Sequence, residues 1–194
     1  MDEKKIEIAF ELFDNYNSKD PKQYSFNGEV YPQELFFALQ VHNWIKKLDP
    51  NASEPLLLAS RCQHLGRWEV PRETYPDGKA GYLNWRSNLA KYHAEKASQI
   101  LSQIGYDTDT INKVQHIVLK QQLKSDQDVQ TMENALCLVF LEFELEDFMA
   151  KHDDAKLIRI LQKSWGKMSE PGRAAALTLN YSEKGSELIK KALA

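Results

Sequence analysis

The sequence has few of the features that crosslink a chain or anchor it to a membrane. It contains two cysteines, Cys62 and Cys137, and they show neither C-x-x-C nor zinc-finger spacing. No apolar run approaches the roughly 20 residues that a membrane-spanning helix needs. The first residues, MDEKKIEIAF, lack the apolar segment of a signal peptide. We therefore expect reduced thiols in a cytoplasmic protein with no membrane partner.

Basic residues are also not in excess. The chain has 25 lysines and arginines against 28 aspartates and glutamates, for a net charge of −3. This balance argues against a broad nucleic-acid-binding surface, although it leaves room for a local basic pocket. The 194 residues, 42% of them hydrophobic, suffice for a buried core without disulfides. We expect one helical domain over 1–194, with a core at about 30–150 and a helical extension over 151–194.

No window shows a convincing run of period-two alternation, so the sequence predicts an all-α fold with almost no sheet. Apolar spacing between the glycine- and proline-rich segments predicts helices over about 4–16, 32–49, 56–65, 82–104, 107–123 and 129–150, followed by shorter ones. A long irregular loop, 66–81, separates the third and fourth helices. Structureless loops of this length inside a compact domain are usually functional.

Four potential metal ligands fall on inward-facing positions of four different helices: His42, His64, His93 and Glu133. Burying such groups is costly unless each is paired or bound. One shared divalent metal ion would satisfy all four, and imidazole with carboxylate suits zinc, iron, manganese or nickel. The alternative interpretation is that these histidines are hydrogen-bonded core residues.

The long loop and its neighbours supply groups that suit an anion. Arginine offers a planar donor fork to phosphate or carboxylate, and aromatic rings can stack on a base. The predicted substrate-binding residues are Arg72, Arg86, Trp68, Tyr75 and Lys120, with Arg67 beside them. In the alternative interpretation the tryptophan belongs to the core and the arginines form weak surface ion pairs.

Three segments resemble the HD superfamily of helical metal-dependent phosphohydrolases. LLLASRCQHLGRW resembles its apolar helix ending in His-Asp, with Gln63 in place of the histidine, His64 in place of the aspartate and Arg67 as the basic residue. YHAEKASQIL and VQTMENALCLVFLE resemble two later helices, and the second brings Glu133 near the family's final acid. The resemblance implies an HD-like bundle and hydrolysis of a small phosphorylated or nucleotide-like substrate. It also implies catalytic roles for Glu133, Gln63 and Arg67.

Nearly the whole chain resembles the family called domain of unknown function 4202. The segments that carry this resemblance are QHLGRWEVPRETYPDGKAGYLNWR, KYHAEKA and ENALCLVFLEFE. It implies a related fold and brings no activity with it. Two alternatives therefore stay open beside the hydrolase: a non-catalytic nucleotide- or protein-binding module that has lost the metal, and an HD-type iron oxygenase.

Two fragments, His64-Leu65-Gly66-Arg67 and Lys167-Met168-Ser169, look like degraded aminoacyl-tRNA synthetase motifs. Those motifs need a strand–helix alternation to place them on a nucleotide, and the sequence shows none. Ser169 is better explained as a helix N-cap, since Pro171 would lie in the first turn of the helix that follows.

Overall fold

The computed structural model describes residues 2–193. Helices dominate this part of the chain, which confirms the predicted all-α fold. The helices are α1 (Glu3–Asn17), α2 (Gln33–Leu48), α3 (Glu54–Cys62), α4 (Gly78–Gln103), α5 (Thr108–Val118), α6 (Gln127–Val139), α7 (Leu145–Met149), α8 (Asp154–Lys167), α9 (Glu170–Ala176) and α10 (Glu183–Leu193). Within residues 2–193, no helix is long and apolar enough to cross a bilayer.

A small hairpin precedes α2, and it is the one sheet in the described chain. Strands β1 (Gln23–Phe26) and β2 (Glu29–Pro32) pair antiparallel. The two residues between them, Asn27 and Gly28, both have positive φ (51° and 83°), which is typical of the tight turns that close hairpins. The expectation of almost no sheet therefore holds, and the hairpin occupies a segment that sequence patterning predicts as loop.

Helices α2, α3 and α6 form the centre of the core. Ile45, Leu56, Leu58, Met132 and Leu138 are fully buried there, each contributing about 1.5–3 kcal/mol relative to exposure. The two cysteines are also buried and free of disulfides. Both thiols therefore belong to the core.

Side chains cap the first turns of several helices. Ser53 accepts a hydrogen bond from the Leu56 amide at the start of α3, and Asp126 accepts one from the Val129 amide at α6. Ser169 occupies the N-cap position of α9, but it makes no side-chain capping bond. Its hydroxyl instead accepts a hydrogen bond from Asn134 on α6 (2.8 Å).

The segment between α3 and α4 is more ordered than a structureless loop. It contains two 3₁₀ turns, Arg67–Glu69 and Arg72–Thr74. Tyr16 and Tyr92 both donate hydrogen bonds to the Glu69 carboxylate. The Trp85 indole N–H donates to the Val70 carbonyl (2.9 Å). Contacts from α1 and α4 therefore hold this segment in place.

The predicted helix over 129–150 is interrupted. A π-helical turn, Phe140–Glu144, separates α6 from α7. Within it, Glu142 accepts a hydrogen bond from the Trp44 indole (2.7 Å), and the Phe143 carbonyl accepts one from the Tyr24 hydroxyl (2.6 Å). The π turn therefore accepts hydrogen bonds from both α2 and the hairpin.

Candidate functional site

A buried glutamate near the start of α2 lies beneath two basic side chains. Glu34 is buried because it shares the inward face of α2 with Ala38 and Val41. Its Oε2 lies 3.7 Å from His64 Nδ1, and its Oε1 lies 3.7 Å from Arg67 Nε. Burial raises the pKa of Glu34 to about 7, and the nearby Arg67 only partly opposes this shift. The carboxyl group is therefore close to half protonated at neutral pH.

A second buried glutamate lies beneath two lysines. Glu133 on α6 has a 3% exposed side chain; its Oε2 lies 2.6 Å from Lys120 Nζ, and its Oε1 lies 3.0 Å from Lys167 Nζ. Burial favours the protonated acid, but the two ammonium groups together outweigh it and hold the pKa of Glu133 below its usual value. This carboxylate is ionised at neutral pH and has a cation at each oxygen.

Two histidines lie next to each other, and one of them is the His64 that faces Glu34. The ring centroids of His64 and His93 are 5.8 Å apart. His93 is 2% exposed, and its Nδ1–H donates to the Leu65 carbonyl (2.8 Å). Burial lowers the pKa of His93 to about 4, although that hydrogen bond opposes the shift. Burial and then the nearby charge of Arg67 also lower the pKa of His64. Both rings are therefore neutral at pH 7.

Arg86, exposed on α4, adds a further cation. Burial is the main cause that lowers the pKa values of His64 and Lys120, and the positive charge of Arg86 contributes to both shifts. We use the name cationic cluster for Arg67, Arg86, Lys120 and Lys167 together with the two histidines. Its basic side chains are partly exposed, while the two glutamates beneath are buried.

The structure brings together five of the predicted site residues, namely His64, His93, Arg67, Arg86 and Lys120, and places Glu133 beneath them. His42 lies elsewhere. Its Nδ1 is 2.8 Å from the Ser60 hydroxyl, its ring packs edge-on against Phe10, and burial with the nearby Arg61 charge lowers its pKa to about 4. This matches the alternative interpretation of His42 as a hydrogen-bonded structural histidine.

Three of the predicted substrate-binding residues in the loop make structural contacts instead. Arg72 donates to the carbonyls of Tyr75 and Pro76, both at 2.9 Å. The Tyr75 hydroxyl accepts a bond from the Asn88 amide (3.2 Å). The Trp68 ring packs near Tyr16, with centroids 5.9 Å apart. These contacts support the fold of the loop, and none of them joins the cationic cluster.

Gln63 has a structural contact rather than a free amide. It is 5% exposed, and its Nε2 donates to the Val118 carbonyl (3.1 Å). This bond ties the end of α3 to the end of α5. Its Oε1 is buried without a hydrogen-bond partner among the described residues, so a bound water would satisfy it.

The predicted metal ligands do not form a coordination sphere. His42 is bonded to Ser60, and both oxygens of Glu133 are occupied by ammonium groups. Across residues 2–193, no group of three or more His, Cys, Asp or Glu side chains could hold a metal ion. The donor set therefore does not fit the predicted divalent metal.

Sequence reasoning missed two members of the site, Glu34 and Lys167. Glu34 could have been found, because its helical spacing to Ala38 and Val41 places it on the buried face of α2. Lys167 has no comparable signal. It reaches Glu133 because two α6 side chains bind the corner between α8 and α9: Gln130 donates to the Lys167 carbonyl (3.0 Å), and Asn134 accepts from the Ser169 amide (3.0 Å).

Fold and site together define a helical protein whose basic side chains converge on a pair of neutral histidines. The chain belongs to the family described as domain of unknown function (DUF4202), whose model matches residues 7–189. This match confirms the resemblance seen in the sequence to that family. No curated protein and no solved structure matches the chain significantly.

Proposed function

We propose that the protein binds a small phosphorylated, nucleotide-like molecule at the cationic cluster. The observation that carries this proposal is the grouping of basic side chains in a chain whose net charge is −3: Arg67 lies beside His64 at Glu34, and Lys120 and Lys167 share Glu133. The charges of Lys120 and Arg86 also act on His64. Such a concentration of positive charge in a mildly acidic protein favours an anionic ligand.

The carboxylates do not cancel this charge. Glu133 is one ionised group facing two ammonium groups. Glu34, with its pKa raised to about 7, neutralises Arg67 only in part. Glu144 adds one further acid near Arg67, and burial raises its pKa as well. Arg86 brings its charge without a carboxylate at salt-bridge distance among the described residues. The cluster therefore retains positive charge that a phosphate would neutralise.

Two buried polar atoms beside His64 also lack partners. His93 Nε2 and Glu34 Oε2 are buried with no hydrogen-bond partner among residues 2–193. An unpaired buried group costs about 1–3 kcal/mol, so a ligand oxygen or a water at this point would be stabilising. The unsatisfied atoms thus lie in the same place as the positive charge.

Titration calorimetry with inorganic phosphate and adenosine monophosphate tests this proposal. We expect both anions to bind, and Arg86→Gln to weaken binding about tenfold. Arg159→Gln is the matched control, since Arg159 is an exposed arginine on α8. Equal affinities for the wild type and the Arg86 variant, or no binding of either anion, would contradict the proposal.

We also propose, as a second candidate, that the bound ester is hydrolysed. The supporting observation is the neutral His64 imidazole beside a glutamate that holds a proton near neutral pH. In this scheme His64 takes a proton from the attacking water as the water oxygen bonds to phosphorus, and the opposite phosphorus–oxygen bond breaks. The leaving oxygen takes a proton from solvent, and His64 then releases its proton to solvent. Arg67, Arg86 and Lys120 stabilise the charge on the phosphoryl oxygens.

A phosphatase assay with 4-nitrophenyl phosphate and adenosine monophosphate tests the second candidate. His64→Gln should lower the rate about 100-fold, while His42→Gln, the matched control, should leave it unchanged. The assay is run with chelator and again with added Mn²⁺. Activity that appears only with the metal would favour the metal-dependent hydrolase predicted from the HD resemblance. If phosphate binds but no turnover is detected, the hydrolysis proposal is wrong and the binding proposal stands.

A further inference from the structure

A cavity of about 260 Å³ lies between the first turns of α1 and the end of α2, beside the start of α3. Four of its lining residues share one face of α1, at a spacing of three and four positions: Glu3, Ile6, Glu7 and Phe10. Three more follow the same spacing at the end of α2: His42, Lys46 and Asp49. A cavity of this size accommodates one small organic molecule.

The hydrogen bonds of His42 determine which of its ring nitrogens carries the proton. The Ser60 hydroxyl has a single proton, and it donates that proton to the Leu57 carbonyl at 2.6 Å. The contact of 2.8 Å between His42 Nδ1 and Ser60 Oγ therefore requires a proton on Nδ1. Because burial lowers the pKa of the ring to about 4, His42 is neutral at pH 7 and Nε2 carries a lone pair.

The Nε2 atom of His42 is open to solvent. Among residues 2–193 it has no hydrogen-bond partner, and it is not one of the unpaired polar atoms that are closed off from solvent. It is therefore an accessible acceptor on a side chain that lines the cavity. A ligand with an N–H donor satisfies this acceptor, whereas a carboxylate does not.

Apolar side chains form much of the remaining wall. Ile6 is buried, and Phe10 and Leu57 are partly buried against the core. The Phe10 ring packs edge-on against His42, with the ring centroids 5.0 Å apart. The Arg61 guanidinium lies 4.9 Å from the Phe10 ring centroid and is paired with Asp14. The wall therefore offers apolar surface to a ligand body of a few carbon atoms.

The charged groups of the lining favour a cation. The lining contains three carboxylates, Glu3, Glu7 and Asp49, and one ammonium group, Lys46. Within residues 2–193, none of the three carboxylates forms a salt bridge. The negative charge of the lining thus exceeds its positive charge, which is the opposite of the cationic cluster.

We infer that this cavity binds a small organic ammonium ion, that is, a primary amine with a compact apolar body. A primary ammonium group has three N–H donors and no acceptor. It donates to His42 Nε2 and is attracted by the carboxylates of Glu3 and Glu7. The apolar body contacts Ile6, Phe10 and Leu57. This site goes beyond the proposed function, since it takes a cation rather than a phosphate and uses none of the same residues.

Titration of the full chain with benzylamine, followed by ¹H–¹⁵N correlation spectra, tests the inference. Benzyl alcohol is the neutral probe of similar shape. We expect benzylamine to bind at least about fivefold more tightly at low salt, because only the ammonium group is attracted by the carboxylates. The amide signals that shift should belong to residues of the cavity lining. The His42 Nε2 signal should also move, since its lone pair gains a donor.

Three variants at exposed positions test the charges of the lining. Glu7→Gln keeps the size of the side chain and should weaken benzylamine binding about threefold. Lys46→Gln removes the one cation and should strengthen it about twofold. Glu11→Gln is the matched control, because Glu11 lies one turn further along α1 and outside the lining.

Four outcomes would each overturn the inference. These are no binding of benzylamine, equal affinities for benzylamine and benzyl alcohol, equal effects of the Glu7 and Glu11 substitutions, and signal shifts that leave His42 Nε2 unchanged. Phosphate affinity in the Glu7→Gln variant should match the wild type. This separates the amine site from the cationic cluster, so either proposal can fail without the other.

Discussion

Lys120 Nζ lies 2.6 Å from Glu133 Oε2, and this contact makes Glu133 the counter-ion of a lysine pair. The other oxygen faces Lys167. Glu133→Gln should therefore lower the free energy of unfolding by about 1–3 kcal/mol, because it leaves two ammonium groups beside a neutral amide. Asp109→Asn breaks an exposed pair and should cost less than about 1 kcal/mol. Urea denaturation measures both, and equal costs would refute a special role for Glu133.

The raised pKa of Glu34 predicts a pH-dependent effect of its replacement. Between the unfolded pKa of about 4.5 and the folded pKa of about 7, the folded state binds the proton that the unfolded state has lost. The Glu34 contribution to stability is thus present below pH 4.5 and is lost as the pH rises through 7. The Glu34→Gln variant has no carboxyl group to ionise at this position, so its stability does not fall in this way as the pH rises. Its stability relative to wild type should increase by about 2–3 kcal/mol between pH 4.5 and 8.

Urea titrations at pH 5 and pH 8 measure this difference directly. Glu11→Gln, at an exposed position on α1, is the control and should show the same offset from wild type at both values. The histidines with lowered pKa values act in wild type and variant alike, so the comparison removes their contribution. A constant offset for Glu34→Gln would show that Glu34 does not titrate near neutral pH.

Arg72 should behave differently from the arginines of the cationic cluster. Its guanidinium donates to the Tyr75 and Pro76 carbonyls just before α4 begins. Arg72→Ala should cost about 1 kcal/mol of stability and leave phosphate affinity within twofold of wild type. Calorimetry beside Arg86→Gln checks this. A tenfold loss of affinity in a fully folded Arg72 variant would return it to the predicted ligand-binding set.

Metal removal should not alter phosphate binding. The donor set His42, His64, His93 and Glu133 is not assembled around one point. We expect elemental analysis of protein purified without an affinity tag to show less than one transition metal per chain, and chelator to leave phosphate affinity unchanged. A full equivalent of metal that disappears in both His64→Ala and His93→Ala would contradict this expectation and restore the metal centre.

Gly172 controls how α9 packs on α6. A Cβ at this position would lie 2.6 Å from Asn134 Cγ, and Asn134 is the residue that binds Ser169 beside Lys167. Gly172→Ala should destabilise the protein by about 1–3 kcal/mol and weaken phosphate binding by displacing Lys167. Gly166→Ala, which has open space around the added carbon, should be neutral or stabilising. Equal stability of the two variants would refute the packing argument.

The sequence predicted helices, which depend on nearby residues, better than it predicted contacts between distant segments. Periodicity found α2, α3 and α6, because the spacing of apolar residues is a signal contained within each helix. Periodicity also placed His42 on an inward face. It could not show that this side chain contacts Ser60 rather than the other histidines.

The same limit applies to the site. Apolar spacing showed that Glu133 is buried, but its two lysine partners lie 13 and 34 positions along the chain. Lys167 reaches it only because Gln130 and Asn134 hold the α8–α9 corner in place. The fold class was therefore predictable from local patterns. Which residues form the cationic cluster depends on packing between segments that are distant in the sequence. Such contacts cannot be read from a single sequence.

The π turn Phe140–Glu144 has a consequence for insertions and deletions. A π-helical turn accommodates one residue more than the α-helical turn it replaces. Deleting one residue there would give an uninterrupted α-helix in which α6 and α7 keep roughly their present phase, while the residues of the former π turn point in new directions. Glu142 and Phe143 would then no longer meet Trp44 and Tyr24. Chain length between α6 and α7 is thus under a constraint that side-chain substitutions at the same positions would not reveal.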